Sequence, residues 1–239
     1  MYKLEVIAFN IESCNIIESC GAHRIELCDG PAEGGTTASA GFIKAARQKI
    51  NIELYPIIRP RGGDFLYSND EFEIMKADVK LCKEIGCDGV VLGILNTGGS
   101  IDKLRCGKLV ELAYPLGVTF HRAFDRVADA AQALEDVIDI GCERILTSGL
   151  KPAAMDGLDM IASLIQQADE RIIIMPGSGL RSSNIMEIGQ RTHAIEFHSS
   201  ARINVESSMN FMSGSMNEKL QSVSVDEEEV RRMVALLNG

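Results

Sequence analysis

Cys20-Gly21-Ala22-His23-Arg24-Ile25-Glu26-Leu27 is the stretch on which the reading of the fold turns. Its glycine sits where a preceding helix must stop, because glycine tolerates the left-handed backbone found there. A β-prone run follows at once. The pattern returns as Gly86-Cys87-Asp88-Gly89-Val90-Val91-Leu92 and as Gly141-Cys142-Glu143-Arg144-Ile145-Leu146, and Gly189 precedes a fourth run. Working outward, strands are predicted at residues 3–8, 23–28, 51–59, 89–93, 117–122, 143–147, 171–175 and 194–198. The repeat glycines introduce every second strand.

Helical patterns fill the intervals. Asn10 can cap a helix that runs to Cys20. Ser68 with Glu71 fits a capping box ahead of an apolar stripe of Phe72, Met75, Val79 and Cys82. Ser224 with Glu227 fits another, ahead of Val230, Met233, Val234 and Leu237. Strand–helix alternation throughout predicts a parallel sheet covered by helices. Eight such units in about 250 residues suit an α/β fold of the (β/α)8 TIM-barrel type, with a doubly wound open sheet as the alternative. No Pro- or Ser-rich linker divides the chain, so residues 1–239 are expected to form a single barrel domain. A polar loop at about residues 201–223, carrying Met209, Met212 and Met216, is expected before the last helix, as a lid over the pocket mouth.

The 239 residues carry 24 basic and 34 acidic side chains, a net charge of −10, which opposes non-specific attraction to nucleic acid or anionic lipid. No stretch approaches the ~18 apolar residues of a membrane span. No secretory signal is visible in Met1-Tyr2-Lys3-Leu4-Glu5. Seven cysteines without such a signal suggest reduced thiols and a cytoplasmic location.

In a barrel of this type, functional groups gather where strands end. Period-two alternation lets Glu5 share a face with Ile7, Glu26 with Cys28, Ile57 with Arg59, Thr119 with His121 and Glu196 with His198. Buried carboxylates need partners such as Arg59 or His121. They then serve either as a general acid/base pair or as a structural ion network. As an enzyme, the chain would use Glu26, Arg59, His121, Asp125 and His198, with Asp125 orienting the His121 imidazole. Arg59 and Arg61, beside the Gly62-Gly63 turn, can present planar donors to a carboxylate or phosphate. The turn Gly177-Ser178-Gly179 offers backbone amides to the same anion. Standard zinc motifs are absent. Cys28 alone combines a strand end with a polar pocket, and its thiolate would suit Cu(I).

Several motifs stand in order: Arg24-Ile25-Glu26-Leu27-Cys28 with Glu33-Gly34-Gly35-Thr36-Thr37; Ile58-Arg59-Pro60-Arg61-Gly62-Gly63-Asp64-Phe65-Leu66-Tyr67; Thr119-Phe120-His121-Arg122-Ala123-Phe124-Asp125; Ile145-Leu146-Thr147-Ser148-Gly149; and Glu196-Phe197-His198-Ser199-Ser200. Together, from Leu4 to Ala201, they resemble the copper-homeostasis protein family CutC. The resemblance implies a (β/α)8 barrel, a cytoplasmic homo-dimer or larger assembly, and Cu(I) binding by cysteine. Family members often carry a further cysteine where this chain has Ile7, so His198, His121, a methionine or a second subunit would have to complete a site at Cys28. The alternative is a TIM-barrel enzyme acting on a small anionic or phosphorylated substrate.

Overall fold

The computed structural model describes residues 2–211, 213–217 and 220–239. Strands and helices alternate as β1 (Lys3–Ala8), α1 (Ile11–Ser19), β2 (Arg24–Leu27), α2 (Ala40–Lys49), β3 (Glu53–Pro56), α3 (Asn69–Ile85), β4 (Gly89–Leu92) and α4 (Lys103–Ala113). They continue as β5 (Gly117–Phe120), α5 (Ala130–Asp139), β6 (Arg144–Thr147), α6 (Leu158–Ala168), β7 (Ile173–Pro176), α7 (Ile185–Thr192) and β8 (Glu196–Ser199). An antiparallel ribbon, β9 (Arg202–Val205) with β10 (Ser222–Val225), then leads to α8 (Glu227–Asn238). No helix among the described residues is long and apolar enough to cross a membrane.

The local signals act much as their chemistry dictates. Asn10 caps α1 by accepting from the Ser13 amide, and Ser68 and Glu71 form the reciprocal box of α3. Gly21, Gly86 and Gly141 all take positive φ, between 83° and 87°. Gly189 differs, because it lies inside α7, where a Cβ would stand 3.1 Å from the Phe197 ring. The left-handed residue that stops α7 is His193. The last helix also starts later than expected. Ser224 belongs to β10, and Asp226 caps α8 by accepting from the Glu229 amide. The segment read as a polar loop is thus flanked by paired strands. Met209 and Met216 are exposed on it, and Met212 lies outside the described residues.

The eight parallel strands form two four-stranded sheets, β3-β2-β1-β8 and β4-β5-β6-β7, rather than one uninterrupted hydrogen-bonded ring. A proline lies at each break. Along β3, Ile57 donates to Leu27 of β2 and Ile58 to Val91 beside it in β4, so alternate amides face alternate neighbours. Position 56 therefore faces β4, and Pro56 has no amide hydrogen to donate. Along β7, Ile173 donates to Glu143 and Gly177 to Thr147, both on the β6 side. Pro176 thus faces β8, again without a donor. Across the β3–β4 seam Asp88 still donates to Leu54 and Ile58 to Val91, with an isolated parallel bridge between Ile57 and Val91. At the other seam β7 packs beside β8 without a ladder among the described residues.

Alternation sorts the side chains. Leu4, Val6, Ile25, Leu27, Val90, Leu92, Val118, Phe120, Ile145 and Phe197 join the helices in the main apolar core. The opposite face of the same strands carries Glu5, Arg24, Glu26, Thr119, Arg144, Glu196 and His198, all buried. The polar residues are therefore enclosed by the strands themselves.

Candidate functional site

A layer of ions lies among the strands. Arg24 Nη1 donates to Glu196 at 2.9 Å and to Glu5 at 3.3 Å, while its Nε donates to Glu53 at 2.8 Å. Arg144 Nε donates to Glu196 at 2.7 Å and its Nη1 to the Thr119 hydroxyl at 3.1 Å. Both guanidiniums stand over the Tyr55 ring, at 4.9 and 5.7 Å. Burial alone would raise the Glu5 carboxyl, but the His198 hydrogen bond and the Arg24 and Arg144 charges outweigh it and hold the group at about 2. Burial likewise opposes ionisation of Glu196, and Arg144 and Arg24 win, so its pKa is lowered. The expected partners, Arg59 and His121, play no part in this layer. Arg24 shares the inner face with Glu26 at a spacing of two, a signal the sequence reading passed over.

Above the ions stands His198. Its Nδ1 lies 2.7 Å from Glu5 Oε1, and its Nε2 lies 3.8 Å from Glu26 Oε2. Burial pushes Glu26 up, the His198 charge offsets part of this and the Glu5 charge adds to it, leaving the carboxyl at about 7. His198 itself is raised: burial disfavours its charge, but Glu5 and Glu26 more than compensate. Glu5, Glu26 and His198 each offer one ligand atom within 4.8 Å of the others, a geometry that can hold a metal ion. Cys28, expected as the metal ligand, is not among these three donors. It is fully buried beside Ile7, Tyr55, Ile57 and Val91. Burial first, then the Glu26 and Glu5 charges, push its thiol well above the ordinary range.

Glu26, Arg59, His121 and His198 do converge, as expected, on one cavity of about 230 Å³. Ser178, Gly179, Ser200, Arg122 and Arg202 line it as well. The details correct three expectations. Asp125 does not orient His121; it accepts from the Thr147 hydroxyl at 2.6 Å, the Ser148 amide at 2.9 Å and Arg122 Nε at 2.7 Å. A carboxylate with three such donors ties the turn after β5 to the end of β6. Arg61 does not reach the cavity lining, because Glu71 at 2.6 Å and Asp64 at 2.9 Å hold it. Gly177 is required for packing: a Cβ there would come 2.4 Å from Leu146 Cδ1, and its amide already serves Thr147.

Arg59 is anchored by backbone carbonyls. Its Nη1 donates to Glu33 at 2.6 Å and Gly35 at 2.7 Å, and its Nη2 to Gly63 at 3.0 Å. His121 Nδ1 accepts from the Ala123 amide at 3.2 Å, which leaves the ring proton on Nε2. Burial, reinforced by the Arg59 charge, lowers this imidazole to about 3, so it is neutral near pH 7. Neither Arg59 Nε nor His121 Nε2 has a hydrogen-bond partner.

With this geometry in view, the chain compares closely with known proteins. The model of the CutC family matches residues 2–203. A copper homeostasis protein cutC homolog of Mus musculus is 48% identical over 215 residues, 90% of this chain and 79% of the relative. The crystal structure of CutC from Streptococcus agalactiae superposes with a TM-score of 0.80 at 33% identity, covering 84% of this chain and 99% of that one. Phosphoribosyl anthranilate isomerase from Thermotoga maritima, at a TM-score of 0.63 and 13% identity over the full length of both chains, shares the fold alone. The protein therefore has an α/β fold related to TIM-barrel enzymes.

Proposed function

The chain belongs to the CutC family, and from that premise we propose that it acts in copper homeostasis, holding copper through the Glu5–His198–Glu26 cluster. The observation that carries this reading is the cluster itself, an imidazole with a carboxylate at each ring nitrogen. Glu5 would orient the ring through Nδ1, leaving Nε2 and Glu26 to face the ion, the arrangement by which outer carboxylates tune metal-bound histidines. The donor chemistry fits copper in two ways. Carboxylate and imidazole suit Cu(II), whereas Cu(I) prefers sulfur and would draw on Cys28 once its proton is lost.

The rest of the reading follows the family. The two sheets act as one closed (β/α)8 barrel in a single domain, supported by the bonds across the β3–β4 seam. The protein works in the cytoplasm as a homo-dimer or larger assembly; seven free, buried cysteines accord with a reducing compartment. Sedimentation as a monomer at micromolar concentration would remove the oligomer from this picture.

Copper titrations against a competing chelator, run separately for Cu(I) and Cu(II), test the site. Glu26→Gln and His198→Gln should weaken Cu(II) binding by roughly 10–100-fold. Cys28→Ser should weaken Cu(I) while sparing Cu(II). Unchanged affinity for both ions in Glu26→Gln and His198→Gln would sink the assignment.

A further inference from the structure

The cavity has a second wall, which copper leaves unexplained. Phe65 stands between two donors there: its ring centroid is 4.8 Å from that of His121, and the Arg59 guanidinium carbon lies 5.0 Å above its ring. Each of these braced side chains has one buried N–H without an acceptor, His121 Nε2 and Arg59 Nε. The Tyr67 hydroxyl lies beside Arg59, whereas His121 lines the cavity with its orphaned donor, and such a donor is costly, because a buried polar group left unpaired loses its hydration without return.

Charge points the same way. Arg59 and Arg202 both line the cavity, and among the described residues neither forms an ion pair with a carboxylate. The terminal nitrogens of Arg59 donate to backbone carbonyls, and Arg202 Nη1 donates to the Pro31 carbonyl at 3.2 Å. Arg122 adds a third guanidinium, shared with Asp125. In a chain of net charge −10, Arg59 and Arg202 thus bring two guanidiniums without an ion-pair partner to the lining of one cavity.

We infer that this wall binds a small organic oxyanion, a phosphorylated or carboxylated molecule, with its charge on Arg202, Arg122 and Arg59 and an acceptor oxygen on His121 Nε2–H. At about 230 Å³ the cavity falls below the roughly 300–1,000 Å³ of pockets for drug-sized ligands, which suits a small metabolite. His121 is suited to the task because it stays neutral: Arg59 supplies charge, and the imidazole supplies direction. This wall and the Glu5–His198–Glu26 cluster share the cavity, but the inference does not depend on copper.

The test uses the full chain with excess EDTA, so that metal plays no part. Calorimetric titrations would use inorganic phosphate, glycolate and 2-phosphoglycolate, which separate phosphate from carboxylate recognition. Nitrogen-15 spectra of the histidine rings would follow each titration. Binding of at least one probe at millimolar concentration or tighter is expected, with a shift of the His121 Nε2–H resonance. His121→Phe and Arg202→Met should each weaken binding by roughly tenfold or more. Arg61→Met, outside the cavity lining, should bind as the parent does. If no probe binds or moves the His121 resonance, the inference fails. It fails equally if Arg202→Met and His121→Phe bind as tightly as the parent. Should His121→Phe not fold, the parent's His121 resonance and Arg202→Met decide between these outcomes.

Discussion

His121 and Glu5 are both protonated more readily in the unfolded chain than in the folded one, and acid should expose the difference. His121 falls from 6.5 to about 3 on folding, and Glu5 from 4.5 to about 2. Each contributes stability that is present above its unfolded pKa and lost as pH falls through the folded value. Glu26 runs the other way, from 4.5 to about 7, so its contribution is lost as pH rises through that window. His121 and Glu26 should therefore oppose each other between about pH 4.5 and 6.5, and stability should vary little there. Below pH 4.5 His121 and Glu5 act together, joined by Glu196 and Glu135, whose arginine partners also lower them, so stability should fall steeply with acid. Urea midpoints measured from pH 3 to 7 would show the break. His121→Phe should reduce the acid slope by about one proton, and an unchanged slope would show that the imidazole is not held neutral. The inner-face position of most of these residues was legible in the sequence, because period-two spacing marks such a face. The sequence could not assign their partners. Whether Glu5 meets Arg24 or Arg59 depends on strand register, and whether Asp125 meets His121 or Thr147 depends on one turn. Neither is encoded in local spacing.

At the scale of elements, the last helix offers the cleanest separation of competing signals. Ser224 with Glu227 reads as a capping box, but β10 takes Ser224 into its ladder, and Asp226 becomes the cap. Asp226→Ala should destabilise the protein by about 1 kcal/mol, the usual cost of a lost cap. Ser224→Ala should fall within about 0.5 kcal/mol of the parent. Chemical denaturation of both variants checks the order, and the reverse order would refute the cap assignment. The helix buries Val230, Met233 and Leu237, so its apolar stripe was legible even though its first residue was not. Strand existence was equally legible, all eight parallel strands falling within or beside the expected runs. The ribbon of β9 and β10 was not. Its residues are mostly exposed, and without a buried face there is no alternating pattern to read.

Across the whole molecule, the two sheets draw on the chain differently. The sheet β4-β5-β6-β7 comes from one continuous stretch, Gly89–Pro176, in which each strand pairs with the next. The other joins β1, β2 and β3 to β8, so Glu5 must find His198 across 193 positions. Short-range pairing forms faster, since less loop entropy is lost before contacts are gained. In pulsed hydrogen exchange during refolding, amides of β5 and β6 should gain protection before those of β1 and β8. Early protection of β1 would contradict this order. The cluster proposed for copper lies wholly in the later sheet, whereas His121, Ser178 and Gly179 follow strands of the earlier one. A nascent chain would thus have the anion-facing residues of its second sheet in place while still lacking the strand that brings His198 to Glu5 and Glu26. Metal-binding competence would arrive only with β8, and a product truncated before that strand would be unable to sequester the ion.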